Sequence, residues 1–123
     1  MKGEADARRA ARRAALGRGR FGEWLAAWML RLKGYRIAGR NFRCRQGEID
    51  IVATKGDLVC FVEVKTRRGE GGFDAVTANA RRRIRAAGAA WIARQPASAR
   101  LSWRFDVVEI VAGRWPRHHP DAF

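Results

Sequence analysis

The sequence predicts an α/β sandwich: a mostly antiparallel sheet flanked by helices, with one late strand reached by a helical crossover. Three observations carry this expectation. Apolar residues recur with a helical period in two separate stretches, around residues 21–32 and 76–91. Runs rich in β-branched and aromatic residues lie between and after them. Their order (helix, three strands, helix, strand) joins the first three strands by short turns and only the last through a helix.

Residues 1–16 contain no large apolar residue between Met1 and Leu16, so they read as a basic flexible arm, and the domain proper spans 17–123. In the arm, Arg8-Arg9 and Arg12-Arg13 recur four apart and would share one side of a helix. Phe21, Trp24, Leu25, Trp28 and Leu32 form the expected core-facing stripe of the first helix, which Gly34 stops. Residues 35–42 alternate loosely, as an edge strand does. Residues 47–54 alternate cleanly, with Ile49, Ile51 and Ala53 on one face and Glu48, Asp50 and Val52 on the other. Lys55-Gly56-Asp57 is turn chemistry, and residues 58–66 are the most strand-like run in the chain. After a loop with Gly69, Gly71 and Gly72, the stripe Val76, Ala80, Ile84, Ala87, Trp91 predicts a second helix from about residue 74 to 94. Residues 103–111 are the final strand, and residues 116–123 read as a short irregular tail. On this reading Trp24, Trp28 and Trp91 are packing residues, Cys60 is core, and Asp106 is structural.

The 123 residues are one domain's worth, and a hydrophobic fraction of 47% excludes a wholly disordered chain. Charge is lopsided: 26 Lys+Arg against 12 Asp+Glu leave +14, and 22 of the 26 are arginines. Guanidinium forks match phosphate oxygens, so a nucleic-acid partner leads, with an acidic membrane surface second. An arginine-biased genome would explain scattered residues such as Arg94 or Arg114 but accounts less well for clusters. Cys44 and Cys60 build no zinc pattern, and His118-His119 at the far end supply no third ligand. No run approaches the roughly 20 apolar residues of a membrane span, and no apolar h-region follows the N-terminus. A cytoplasmic protein without a membrane partner is expected.

The few acids carry the chemistry. Glu48 and Asp50 share one strand face, as do Glu63 and Lys65. A two-residue turn at Gly56-Asp57 sets Asp50 opposite Glu63 and Glu48 opposite Lys65. A turn at Lys55-Gly56 instead sets Glu48 opposite Glu63, and all four still share one side. Opposed residues have Cβ atoms about 4.5–5.5 Å apart, so two such carboxylates repel unless a cation or proton intervenes. Mg²⁺ or Mn²⁺ takes oxygen ligands, commonly one or two carboxylates plus waters and substrate phosphate. A lysine beside the ion can hold or help deprotonate the attacking water. The set therefore points to metal-assisted phosphodiester hydrolysis; the plainer alternative is a half-exposed hairpin with a charged outer face.

Arg18-Gly-Arg-Phe-Gly-Glu-Trp-Leu-Ala, Gly34-Tyr-Arg-Ile, Arg40-Asn-Phe-Arg, Gly47-Glu-Ile-Asp-Ile-Val-Ala, Phe61-Val-Glu-Val-Lys-Thr-Arg, Arg104-Phe-Asp-Val-Val and the terminal Ala122-Phe123 resemble the YraN-like family of small bacterial proteins. The resemblance runs from about residue 17 to the end. It implies a restriction-endonuclease-like fold of the PD-(D/E)xK nuclease superfamily, with a central mixed sheet of about four strands. Superfamily members include archaeal-type Holliday-junction resolvases, which implies a divalent-metal-dependent endonuclease acting on DNA, branched or structured DNA included. The same resemblance implies Asp50 and Glu63 on the metal, Lys65 at the nucleophilic water, and Glu23 of the first helix as a further acidic ligand. Glu48 then stands behind the ligands or pairs with Lys65. Arg67, Arg68, Arg81, Arg82 and Arg85 are expected phosphate contacts, although a solvated helix face would look the same. Relatives often carry a lysine near Ala80, a role Arg81 would have to fill here. Junction cutting implies a homodimer, yet no segment declares itself an interface. A non-catalytic nucleic-acid-binding module with the same fold is the alternative. A basic protein packing on RNA or a membrane surface leaves the acids unexplained.

Overall fold

The computed structural model describes residues 20–67 and 77–123, together with Gly3. Its centre is the strand-like run Leu58–Arg67 (β3). Around β3 lie β1 (Arg36–Arg43), β2 (Glu48–Lys55), β4 (Ser102–Val111) and β5 (Arg117–His119), in the spatial order β1-β2-β3-β4-β5. All neighbours are antiparallel except β3 and β4, which run parallel on either side of the helical crossover. The expected mixed α/β sheet is thus present, with five strands where about four were expected. The extra one, β5, falls in the stretch read as an irregular tail. Three residues are too few to display a period, and pairing of Arg117–His119 with β4 is what makes them a strand.

One helix packs on each face. The first, α1, is helical through residues 20–32 and closes with a Schellman arrangement. Gly34 adopts φ 95°, its N–H donates to Arg31 O, and the Tyr35 N–H reaches back to Leu30 O at 2.9 Å. The second helix, α2 (Ala78–Ala93), is N-capped by Thr77, whose side chain accepts the Ala80 N–H. The predicted start near residue 74 and the N-terminal arm, residues 1–16, lie outside the described residues apart from Gly3. No helix among the described residues is long and apolar enough to cross a membrane.

The α1 stripe corrects the sequence reading. Ala26, Ala27, Met29 and Leu30 face the sheet and join Ile51, Ala53, Cys60, Val62, Val108 and Ile110. The predicted core residues Phe21, Trp24, Trp28 and Leu32 point outward, 59%, 49%, 46% and 71% exposed. Both sides of α1 carry an i+3/i+4 stripe, and the small alanines win the inner one because they let the helix approach the sheet closely. On the other face, α2 packs Ile84, Ala87 and Ile92 against Val52, Val59, Phe61, Phe105 and Val107, with Trp91 edge-on to Phe61. Burial pushes the Cys60 thiol up to about 11, as expected of a core cysteine.

The clean alternation predicted for β2 breaks at Asp50. Ile51 and Ala53 belong to the α1 side, but Ile49 joins Val52 on the α2 side. Across the ladder, Asn41 sits at φ 53° between Arg40 and Phe42, and Phe42 likewise packs on the α2 side. A left-handed residue turns the strand and resets which side chain points where.

Candidate active site

The β2–β3 hairpin closes through Gly56 and Asp57, the first of the two turns considered from the sequence, with Gly56 at φ 59°. The ladder runs from Lys55↔Leu58 to Ile51↔Val62 and stops. One further rung would pair Asp50 with Glu63. Instead the strands part there, and the Val64 N–H donates to Asp50 Oδ2 at 2.8 Å. A side chain thus stands in for a backbone acceptor, which fixes Asp50 at the fork.

Asp50, Glu63 and Glu48 line one open cleft of about 310 Å³, whose opposite wall is Ala80, Arg83 and Ile84 of α2. The two strand acids expected on one side are therefore together. Burial, followed by the negative charge of Glu63, pushes the Asp50 carboxyl up to about 7; Glu23 and Glu48 add to this, and the Val64 N–H opposes it. Burial also raises Glu63, against the pull of Lys65. Lys65 Nζ lies 3.6 Å from Glu63 Oε1, so the ammonium stands beside the second acid.

The remaining acids take separate places. Glu48 is more exposed and its cation is Arg43, at 3.8 Å. Glu23, on α1 across the sheet, lies 3.8 Å from Arg40, and its charge is still felt at Asp50. Among the described residues, no three His, Cys, Asp or Glu side chains gather closely enough to hold a metal unaided. Two oxygen-donor carboxylates in an open cleft nevertheless fit a hard divalent ion that completes its shell with water and phosphate. Burial is the leading cause of both raised carboxyls, and a pair of raised acids in a cleft is the pattern of a functional site.

Of the arginines, Arg82 and Arg85 are exposed on α2, with Arg85 5.9 Å over the Phe105 ring, and Arg81 is half-buried. Arg68 lies outside the described residues, and Arg67 ends β3. Arg83, part of the arginine run 81–83 read as a phosphate-contacting ridge away from the Ala80/Ile84 stripe, instead borders the cleft wall. It follows Ala80 by one helical step of three, so the Ala80/Ile84 stripe carried the signal that Arg83 borders the same wall. Two glycines were missed. A Cβ on Gly47 would meet Arg83 O at 2.6 Å, and one on Gly22 would meet Thr66 Oγ1 at 2.6 Å. Only glycine lets α2 and α1 approach β2 and β3 this closely.

Asp106, read as structural, is fully buried in β4. Arg104 donates to both its oxygens, His118 Nε2 lies 2.7 Å away, and the Asp121 N–H completes the cluster. His118 is thereby engaged with a carboxylate and with Lys33 Nζ, while His119 Nε2 lies 3.9 Å from Glu109.

Residues 22–110 match the family described as uncharacterised protein family UPF0102. A UPF0102 protein of Rhizobium etli is 58% identical over 113 residues, 91% of this chain and 93% of the relative. One from Rhizobium leguminosarum bv. trifolii is 57% identical over 117 residues, 94% and 96% of the two chains. One from Sinorhizobium medicae is 52% identical over 110 residues, 89% and 90%. These matches bear out the YraN-like resemblance read from the motifs.

Proposed function

We propose that this chain, which belongs to the uncharacterised protein family UPF0102, is a divalent-metal-dependent nuclease-like hydrolase of DNA phosphodiester bonds. One observation carries the reading: Asp50 and Glu63 meet in an open cleft where the β2–β3 ladder ends, with Lys65 3.6 Å from Glu63. Burial raises both carboxyls, and the charge of Glu63 raises Asp50 further, a cost that a bound cation would offset. Asp50 and Glu63 are the residues that would hold Mg²⁺ or Mn²⁺, with Glu48 lining the same cleft and the charge of Glu23 felt at Asp50. When bound, such an ion polarises a phosphoryl oxygen and lowers the pKa of a water. Lys65 holds the water against phosphorus or donates to a phosphate oxygen as negative charge builds there. Arg83 on the facing wall, with Arg82 nearby on α2, binds the flanking phosphates.

The test uses the full chain with single-stranded, duplex and four-way-junction DNA, in Mg²⁺ or Mn²⁺ and in chelator. The expected result is cleavage that needs the metal and falls by about a hundredfold or more in Asp50→Asn and in Lys65→Ala. Cleavage undiminished in Asp50→Asn, or no cleavage of any substrate in either metal, overturns the reading. One observation favours a binding module without turnover: among the described residues no three His, Cys, Asp or Glu side chains are grouped to hold a metal. DNA binding that survives both substitutions while no substrate is cut selects it.

A further inference from the structure

Phe21, Trp24 and Trp28 of α1 form a continuous outward ridge, extended by Leu32. Phe21 and Trp24 stack with centroids 6.0 Å apart and planes 21° apart, and Trp24 meets Trp28 edge-on at 6.3 Å. From Phe21 to Trp28 the helix rises by about 10 Å, so the rings offer a track of π faces rather than one contact. Large aromatic side chains gathered at a surface mark an interaction site.

Charge narrows what covers it. The Arg31 guanidinium lies 5.4 Å above the Trp28 ring, and Arg20 and Arg31 are both exposed on the same helix. A second copy would bring another +14 and set like charges against each other. A polyanion that also presents flat apolar faces meets both features of the ridge, and a nucleic-acid strand is such a polymer. Position agrees with this. Between Phe21 and Trp24, Gly22 packs against Thr66 and Val64, which flank Lys65, and the charge of Glu23 reaches Asp50. The ridge therefore starts beside the end of β3 that carries the acids but on the α1 face of the sheet, so a strand in the cleft reaches it by rounding that end.

We propose that Phe21, Trp24 and Trp28 form a stacking platform for unpaired bases, so that the cleft's nucleic acid is single-stranded or carries a single-stranded arm. A duplex hides its base faces, and only unpaired bases expose them to stack on aromatic rings. The inference rests on the nuclease reading for the nature of the strand and adds which form of it is recognised.

The experiment measures binding of the full chain, in chelator, to a fluorescent single-stranded oligonucleotide and to an abasic strand of the same length. These probes share phosphates and differ in bases. The wild-type chain is expected to prefer the base-bearing strand. Trp24→Ala and Trp28→Ala should each cut that affinity by roughly five- to a hundredfold and leave the abasic affinity unchanged. Circular-dichroism melts confirm that the variants fold, and Trp24→Phe, which keeps an aromatic face, should restore most of the preference. Equal binding of both probes by wild type overturns the proposal, as does a variant that loses both affinities equally. A wild-type dimer in sedimentation that Trp28→Ala turns into monomers assigns the ridge to a second copy and also overturns it. Because cleavage plays no part in chelator, failure of the nuclease assay leaves this result standing, and loss of base preference leaves the nuclease assay standing.

Discussion

Asp106 shows how a single charge is made safe in a core. Burial alone would raise its carboxyl, but His118, Arg104 and the Asp121 N–H overcome that and hold it down at about 2. A depressed carboxyl stabilises the fold at any pH above its unfolded value of 3.8, and the contribution drains away as pH falls through 2. Asp106→Asn should therefore cost about 2 kcal/mol in urea denaturation at pH 7, since it leaves the half-buried Arg104 against a neutral partner. Near pH 2 the wild type should fall towards the variant; a gap that stays constant between pH 7 and pH 2 would contradict the assignment. Asp50 presents the opposite case, a carboxyl raised to about 7 by burial and by Glu63, and this contrast separates the acid that holds the fold from the acid of the cleft.

Among the elements, α2 is set by one close approach. Arg83 O lies where a Gly47 side chain would begin, so Gly47→Ala must push α2 off β2. The expected cost is about 1–3 kcal/mol in a denaturant melt, the usual penalty for overpacking. The same substitution should weaken Mn²⁺ binding by calorimetry if the cleft between β2 and α2 is the metal site. Periodicity made both helices and four of the five strands legible, because each element buries a recognisable stripe. Orientation was less legible. In α1 a hydrophobicity count favours Trp24 and Trp28 as the inner face, whereas close packing selects Ala26 and Ala27. The break in β2 was illegible because its cause lies on another strand, at Asn41, where one positive φ reverses the side that follows.

For the whole molecule, the arginine excess meets the acids at one boundary: Arg83 of α2 faces Asp50 and Glu63 across the cleft. If six to ten phosphates are contacted, DNA affinity should fall by about 10³- to 10⁵-fold between roughly 50 and 200 mM salt. Arg82→Gln and Arg83→Gln should each lower the logarithmic salt slope by about one. A slope near zero would mean that the +14 net charge serves solubility and not phosphate binding. The same-side placement of Asp50 and Glu63 was readable from hairpin parity through Gly56-Asp57, while the pairing itself ends one rung earlier, at Ile51 and Val62. The cation on the cleft's far wall was not readable, since it depends on how α2 docks through Gly47 and Gly88, which strand patterns do not encode.

The Val64 amide donates to one oxygen of Asp50 at 2.8 Å, so one arm of this carboxylate is already engaged by the backbone. In the proposed metal site Asp50 would ligate through its other oxygen, as a monodentate donor. Calcium gathers six to eight oxygens and often wants both arms of an acid, whereas magnesium keeps an octahedron rich in its own waters. Should Asp50 hold an ion as proposed, an arm already engaged by the chain's own backbone would suit the smaller, wetter ion.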